Sequence, residues 1–248
     1  MNLNSREYQC HLFPAVFADP EHGLRQWGAF LARLHTAVQC RYEPQPAALF
    51  ERFLYDTPRN AFAAADMKLR VRVYAAYIKC THKITSHDRY SIAETPLDCA
   101  DRTAKIKFEE NIHAYHTMFV KQATSIQKKG RVFPQVQDWA RIFRSAAGIA
   151  DPRERLTAGP SLFIIRRREL YLNFKGLEIN TLLDLKYADA DHTRLEKVEF
   201  SWKYREPDEA YEPEVIRLMR QFFKAVHQTP WVDLSVGLAK CQHDASTH

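Results

Sequence analysis

The stretch Leu54–Tyr74, LYDTPRNAFAAADMKLRVRVY, holds a strand, a stop at Asp56-Thr57-Pro58, a short alanine-rich turn of helix and a second strand. Successive side chains of a strand point to opposite faces. The second strand therefore sets Lys68, Arg70 and Arg72 on one face and Leu69, Val71 and Val73 on the other. An ordinary half-buried strand alternates apolar with mixed polar residues, whereas here the polar face is purely cationic. A phosphate-rich ligand accounts for such a face.

Similar faces recur on both sides of this stretch. Glu7, Gln9 and His11 share a face of a strand over 6–13, and Lys105, Lys107 and Glu109 share one over 103–110. Arg166 and Arg168 follow on 161–174, Asp184 and Lys186 on 177–187, and Lys197 and Glu199 on 196–205. Lys175-Gly176 predicts a tight hairpin between the strands at 161–174 and 177–187. Short strands over 37–42 and 48–55 bring the count to about eight.

Helices are predicted at three places. Asp19 as N-cap and Pro20 at the first position start one that runs to His35 with Leu24, Trp27, Leu31 and Leu34 inward. A second spans Pro134–Ala147 with Val136, Trp139, Ile142 and Phe143 inward, closed by Gly148. The third spans Pro213–His227, burying Val215, Leu218, Met219, Phe222 and Phe223. The polar segment 80–101 reads as a long loop or excursion, and 112–127 fits strand and helix equally. In an open sheet the charged faces are solvated. In a closed barrel they line a polar tunnel while the apolar faces pack under helices.

Composition bounds the partners. A net charge of +6 favours an anionic one without choosing among nucleic acid, nucleotide and membrane surface. Low glycine and 12% aromatic residues do not suit a disordered chain. The five cysteines are scattered without a CxxC pair, which argues against a disulfide framework or zinc knuckle and for a reducing compartment. No run reaches a membrane span and no signal segment opens the chain, so a cytoplasmic protein is expected. P-loop, GxSxG, HExxH and dinucleotide fingerprints are absent. The aromatics do not interleave with the basic positions as stacking platforms do, so nucleic acid is not the expected partner.

The segment YDTPRNAFAAADMKLRVR resembles the CYTH, or triphosphate tunnel, family, which carries a Y-(F/Y)-D-T-P…L…LR-x-R segment here. The later family motifs follow in order: the KxK strand at Lys105 and Lys107, the K-x-R-x-x-Y strand at Arg166, Arg168 and Tyr171, the hydrophobic-Asp strand at Leu183-Asp184, and a final ExE strand near Glu199. Two signatures depart. The opening ExExK reads Glu7-Tyr8-Gln9-Cys10-His11, so one carboxylate is an amide and the lysine an imidazole, and Lys197 stands at the first acidic position of ExE.

The resemblance implies one α+β domain over 1–231, an eight-stranded antiparallel closed tunnel barrel with helices packed outside, and a frayed tail at 232–248. It implies divalent-metal-dependent hydrolysis of an inorganic or organic triphosphate; adenylate cyclases and polyphosphate polymerases are related. Lys68, Arg70, Arg72, Lys105, Lys107, Arg166 and Arg168 would grip the phosphates. Glu7, Glu109, Asp184 and Glu199 would hold one or two Mg²⁺ or Mn²⁺ ions. Glu7, His11 and Glu199 would be catalytic. The losses at Gln9 and Lys197 keep a second reading open, a non-catalytic binder of nucleotide, polyphosphate or a phosphorylated partner. Oligomeric state is not legible.

Overall fold

In chain order the strands are β1 (Ser5–Leu12), β2 (Arg41–Tyr42), β3 (Ala48–Asp56), β4 (Met67–Val73), β5 (Tyr77–Ser86), β6 (Lys105–Ile112), β7 (Thr117–Lys128), β8 (Thr157–Ala158), β9 (Leu162–Phe174), β10 (Leu177–Tyr187) and β11 (Leu195–Arg205). The helices are α1 (Pro20–Val38), α2 (Ala61–Ala64), α3 (Arg89–Glu94), α4 (Val136–Ala140) and α5 (Pro213–His227). The computed structural model describes residues 3–38, 41–42, 46–174, 177–205 and 213–236, and at 34–38, 41–42, 168–174, 177–179 and 205 the backbone alone. The expected turn at Lys175-Gly176 and the tail from 237 on lie outside the described residues.

Eight antiparallel strands become nine in a closed mixed sheet. Its hydrogen-bonded order is β9-β10-β11-β1-β6-β7-β5-β4-β3, and an additional pairing of β9 with β3 closes it. The two-residue strands β2 and β8 pair outside this run, on β9 and β3. Most of β5 lies in the segment 80–101 expected as a loop. Its sequence, YIKCTHKITS, looks polar because Thr81, His82 and Thr85 are buried polar residues rather than solvated ones.

Other boundaries moved for local reasons. The helix expected over 134–147 is α4 followed by a short 3-10 turn, Arg144–Gly148, because Phe143 is extended (φ −123°, ψ 97°). Its inward set holds: Val136, Trp139, Ile142 and Phe143 are all buried. The ambiguous 112–127 is strand β7, entered by a tight turn in which His113 N–H donates to the His116 carbonyl. The strand expected over 37–42 is reduced to β2, since α1 runs on to Val38.

The described residues gather into two compact units. Leu49–Glu109 and Met118–Ile164 form the first; Leu3–Ala48, Glu110–Thr117 and the residues from Ile165 on form the second. In the first, Leu69, Val71, Ile78, Cys80, His82 and Ile84 are buried together with Phe62, Trp139 and Phe143 of the helical segments. In the second, Tyr8 stacks on Trp202 at 5.5 Å, and Trp27 of α1 meets Phe200 edge-on at 4.8 Å. Phe222 of α5 meets Trp202 the same way at 4.9 Å. Gly23 is required in α1, since a Cβ there would lie 2.7 Å from the Val16 carbonyl oxygen. After α5 the chain stays attached: Val232 is buried and bridges Leu12. Among the described residues no helix is long and apolar enough to cross a membrane.

Candidate functional site

In the first unit, the Asp56-Thr57-Pro58 stop is a built turn. Asp56 Oδ1 accepts from the backbone N–H of Thr57 at 2.7 Å and Phe62 at 2.9 Å, and Oδ2 accepts from Ala63 at 2.9 Å. The carboxylate thus satisfies the free N–H groups that start α2. Asn60 and Asp66 turn the chain through left-handed conformations (φ 56° and 53°), which these side chains tolerate. The turn fixes where β4 begins and so which residues share its polar face.

Strand register assembles that face. Arg52, Arg72 and Lys79 lie directly opposite one another across β3, β4 and β5, and Lys68 lies opposite Lys83. Arg70 stands between these rows, opposite Leu54 on one side and Thr81 on the other. Directly opposite side chains are about 5 Å apart at Cβ, and like charges so placed destabilise a sheet. The sequence reading does not single out Arg52, Lys79 or Lys83, and Lys83 falls in the segment 80–101 expected as a loop.

The cationic face continues toward β6. Arg70 Nη2 donates to Gln122 Oε1 at 3.5 Å, Gln122 Nε2 donates to Glu109 Oε2 at 2.7 Å, and Lys107 Nζ lies 4.0 Å from Glu109 Oε1. Lys105 shares the parity of Lys107 and is exposed. At one end, aromatics join the face, contrary to the reading that none interleave. Tyr74 and Tyr77 stack at 4.7 Å, Phe50 lies 5.0 Å from Tyr74, the Arg72 guanidinium sits 5.8 Å over Phe50, and Lys79 Nζ 5.9 Å over Tyr74. Behind the face, on the apolar side, His82 is fully buried with Nδ1 3.1 Å from Ser145 Oγ, and burial lowers its pKa to about 4. It is a neutral core residue there.

The second unit carries the remaining candidates. Glu7, Gln9 and His11 of β1 lie opposite Lys203, Ser201 and Glu199 of β11. On the other side of β11, Asp184 of β10 lies opposite Glu199, and Lys186 opposite Lys197. Each carboxylate has a cation. Arg166 donates to both Asp184 oxygens, Nε at 2.7 Å and Nη2 at 2.6 Å; Lys186 pairs with Glu199; and Lys203 Nζ lies 3.8 Å from Glu7 Oε2. The Arg168 and Tyr171 side chains lie outside the described residues.

These carboxylates do not fit a divalent ion as they stand. Mg²⁺ and Mn²⁺ need several oxygen ligands converging on one point. Among the described residues no group of three or more His, Cys, Asp or Glu side chains does so. Glu109 is tied to Gln122 and Lys107, and Glu7, Asp184 and Glu199 to their own cations.

No protein-family model matches the chain, and no curated protein matches it. Solved structures are similar to it. A candidate adenylyl cyclase from Hippeastrum, described as having a dominant triphosphatase activity, is 14% identical with a TM-score of 0.45, over 90% of this chain and 87% of that one. A candidate adenylate cyclase from Bacillus halodurans is 10% identical at TM-score 0.43, over 90% and 92%. A protein from Pyrococcus horikoshii is 11% identical at TM-score 0.40, over 95% and 99%.

Proposed function

We propose that the chain is a CYTH-type protein that binds a triphosphate or polyphosphate on the cationic face of its first unit. The observation that carries this reading is the register of β3, β4 and β5. Arg52, Arg72 and Lys79 oppose one another, as do Lys68 and Lys83, so like charges stand side by side where strand pairing alone would disfavour them. A phosphate chain offsets that repulsion. Arginines contribute paired N–H donors to phosphate oxygens and lysines compact point charges, and charge-assisted hydrogen bonds of this kind are worth about 1.5–3 kcal/mol each.

The Phe50–Tyr74–Tyr77 cluster at one end of the rows favours an organic triphosphate, whose ring would lie near aromatic faces while its phosphates meet Arg72 and Lys79. Metal-dependent hydrolysis, with Glu7, His11 and Glu199 as catalytic residues, is the activity the family resemblance implies. It would require Glu7, Asp184 and Glu199 to leave Lys203, Arg166 and Lys186. The binding reading is therefore preferred.

The test is calorimetric titration of inorganic tripolyphosphate and of ATP, with and without Mn²⁺, with released phosphate assayed in the same samples. Binding of both without turnover, ATP the tighter, is expected. Mn²⁺-dependent phosphate release would establish the hydrolase instead, and no binding of either would overturn the phosphate reading.

A further inference from the structure

We infer that the charged face of β1, β11, β10 and β9 in the second unit neutralises itself and excludes Mg²⁺ and Mn²⁺, so that the chain holds its phosphate ligand without a metal bridge. The metal-free binding rests on the proposed function above; the exclusion of metal does not.

The exclusion follows from which charges oppose which. Among the described residues, three carboxylates, Glu7, Asp184 and Glu199, share this face with four cations, Arg166, Lys186, Lys197 and Lys203. In an antiparallel sheet a carboxylate directly opposite another carboxylate is a natural place for a cation. Glu199 and Asp184 are such a pair, and His11 extends the row on β1. Yet the two are drawn to different partners, Glu199 to Lys186 and Asp184 to both nitrogens of the Arg166 fork. Lys186 adds a second obstacle, because its side chain is only 5% exposed. A divalent ion that took Glu199 would draw that carboxylate away from a buried ammonium, and it would sit beside Lys197, two residues earlier on the same strand. A buried charge stripped of its partner is strongly destabilising. Arg166 poses the same problem, since the Asp184 side chain is 9% exposed and its two oxygens are already committed. At the far end Lys203 stands opposite Glu7 and makes the same substitution in a half-buried setting. The carboxylates of this face hold protein cations in place.

Mn²⁺ added alone to the full chain, followed by the paramagnetic resonance signal of the free ion, tests this directly. The signal is expected to grow as in buffer, with no site tighter than about millimolar; a micromolar site on the unmodified chain would overturn the inference. Lys186→Met frees Glu199, and Lys203→Gln, at a half-buried position, frees Glu7 should the first variant fail to fold. Each is expected to raise Mn²⁺ affinity at least about tenfold. No gain in either folded variant would mean that these pairs are not what keeps the metal out. Tripolyphosphate is then titrated in the presence of a chelator. Retained binding supports the metal-free ligand, and binding that appears only with Mn²⁺ contradicts it. Failure to bind under both conditions would sink the proposed function while leaving the Mn²⁺ result to decide the exclusion.

Discussion

The polar faces of the two units are built from the same alternation of charged and apolar residues, and they differ in composition: the first sets cations beside cations, while the second also sets Asp184 opposite Glu199 and Lys186 opposite Lys197. In the first unit like charges face like: Arg52, Arg72 and Lys79 in one row, Lys68 and Lys83 in another. In the second unit each candidate carboxylate is answered by a cation from a neighbouring position or strand: Glu7 by Lys203, Glu199 by Lys186, Asp184 by Arg166. Alternation tells which residues share a face. Register tells which charges the pairing of strands brings together on that face.

The largest expected effect separates the two faces. Arg70→Ala with Arg72→Ala removes two fork donors, and tripolyphosphate affinity by calorimetry should fall about 100-fold at ~1.5 kcal/mol each, with little loss of stability. Arg166→Ala should do the reverse. It removes the two-pronged partner of Asp184 in a nearly buried site, so urea unfolding should show a loss of about 3 kcal/mol. If Arg166→Ala left stability intact and abolished binding, the distinction between a structural ion-paired face and a phosphate-binding cationic face would collapse.

His82 offers a test by pH. Its folded pKa is lowered to about 4, below the unfolded value, so the unfolded chain binds the proton first. Stability is then fully present above about pH 6.5 and is lost as pH falls toward 4, by ~3 kcal/mol in total. His82→Gln should flatten that part of the stability profile measured by thermal unfolding, and an unchanged slope would assign the acid sensitivity elsewhere. Smaller effects sharpen the first face. Lys79→Ala and Lys83→Ala should each weaken tripolyphosphate binding about tenfold. Tyr74→Ala should weaken ATP about tenfold while sparing tripolyphosphate.

Much of this was legible in the residues. Strand parity alone placed Lys68, Arg70 and Arg72 opposite Leu69 and Val71, and Leu69 and Val71 are indeed buried. Helical spacing places Trp27 and Leu31 of α1 and Val215, Met219 and Phe222 of α5 inward, and all are buried, whereas Leu24, Leu218 and Phe223 are only half-buried and the Leu34 side chain lies outside the described residues. Strand β5 was not legible. Its buried positions include Thr81, His82 and Thr85, whose polarity reads as solvent-facing until hydrogen bonds such as Thr81–Thr124 and His82–Ser145 satisfy them. With β5 went Lys83. The ion pairs were out of reach for a different reason. Lys186 lies thirteen residues from Glu199 and Arg166 eighteen from Asp184, and only the pairing of adjacent strands brings each couple together. The aromatic cluster is likewise a product of pairing, since Phe50 and Tyr74 meet only when β3 lies beside β4.

The most direct test of the first unit as a phosphate-binding face is equilibrium titration of tripolyphosphate into the unmodified chain at low salt, beside the Arg70→Ala, Arg72→Ala variant. Saturable binding with a Kd of about micromolar that weakens steeply with salt, and its near loss in the variant, is the expected result. Equal affinity in the two proteins, or no binding to either, would contradict it.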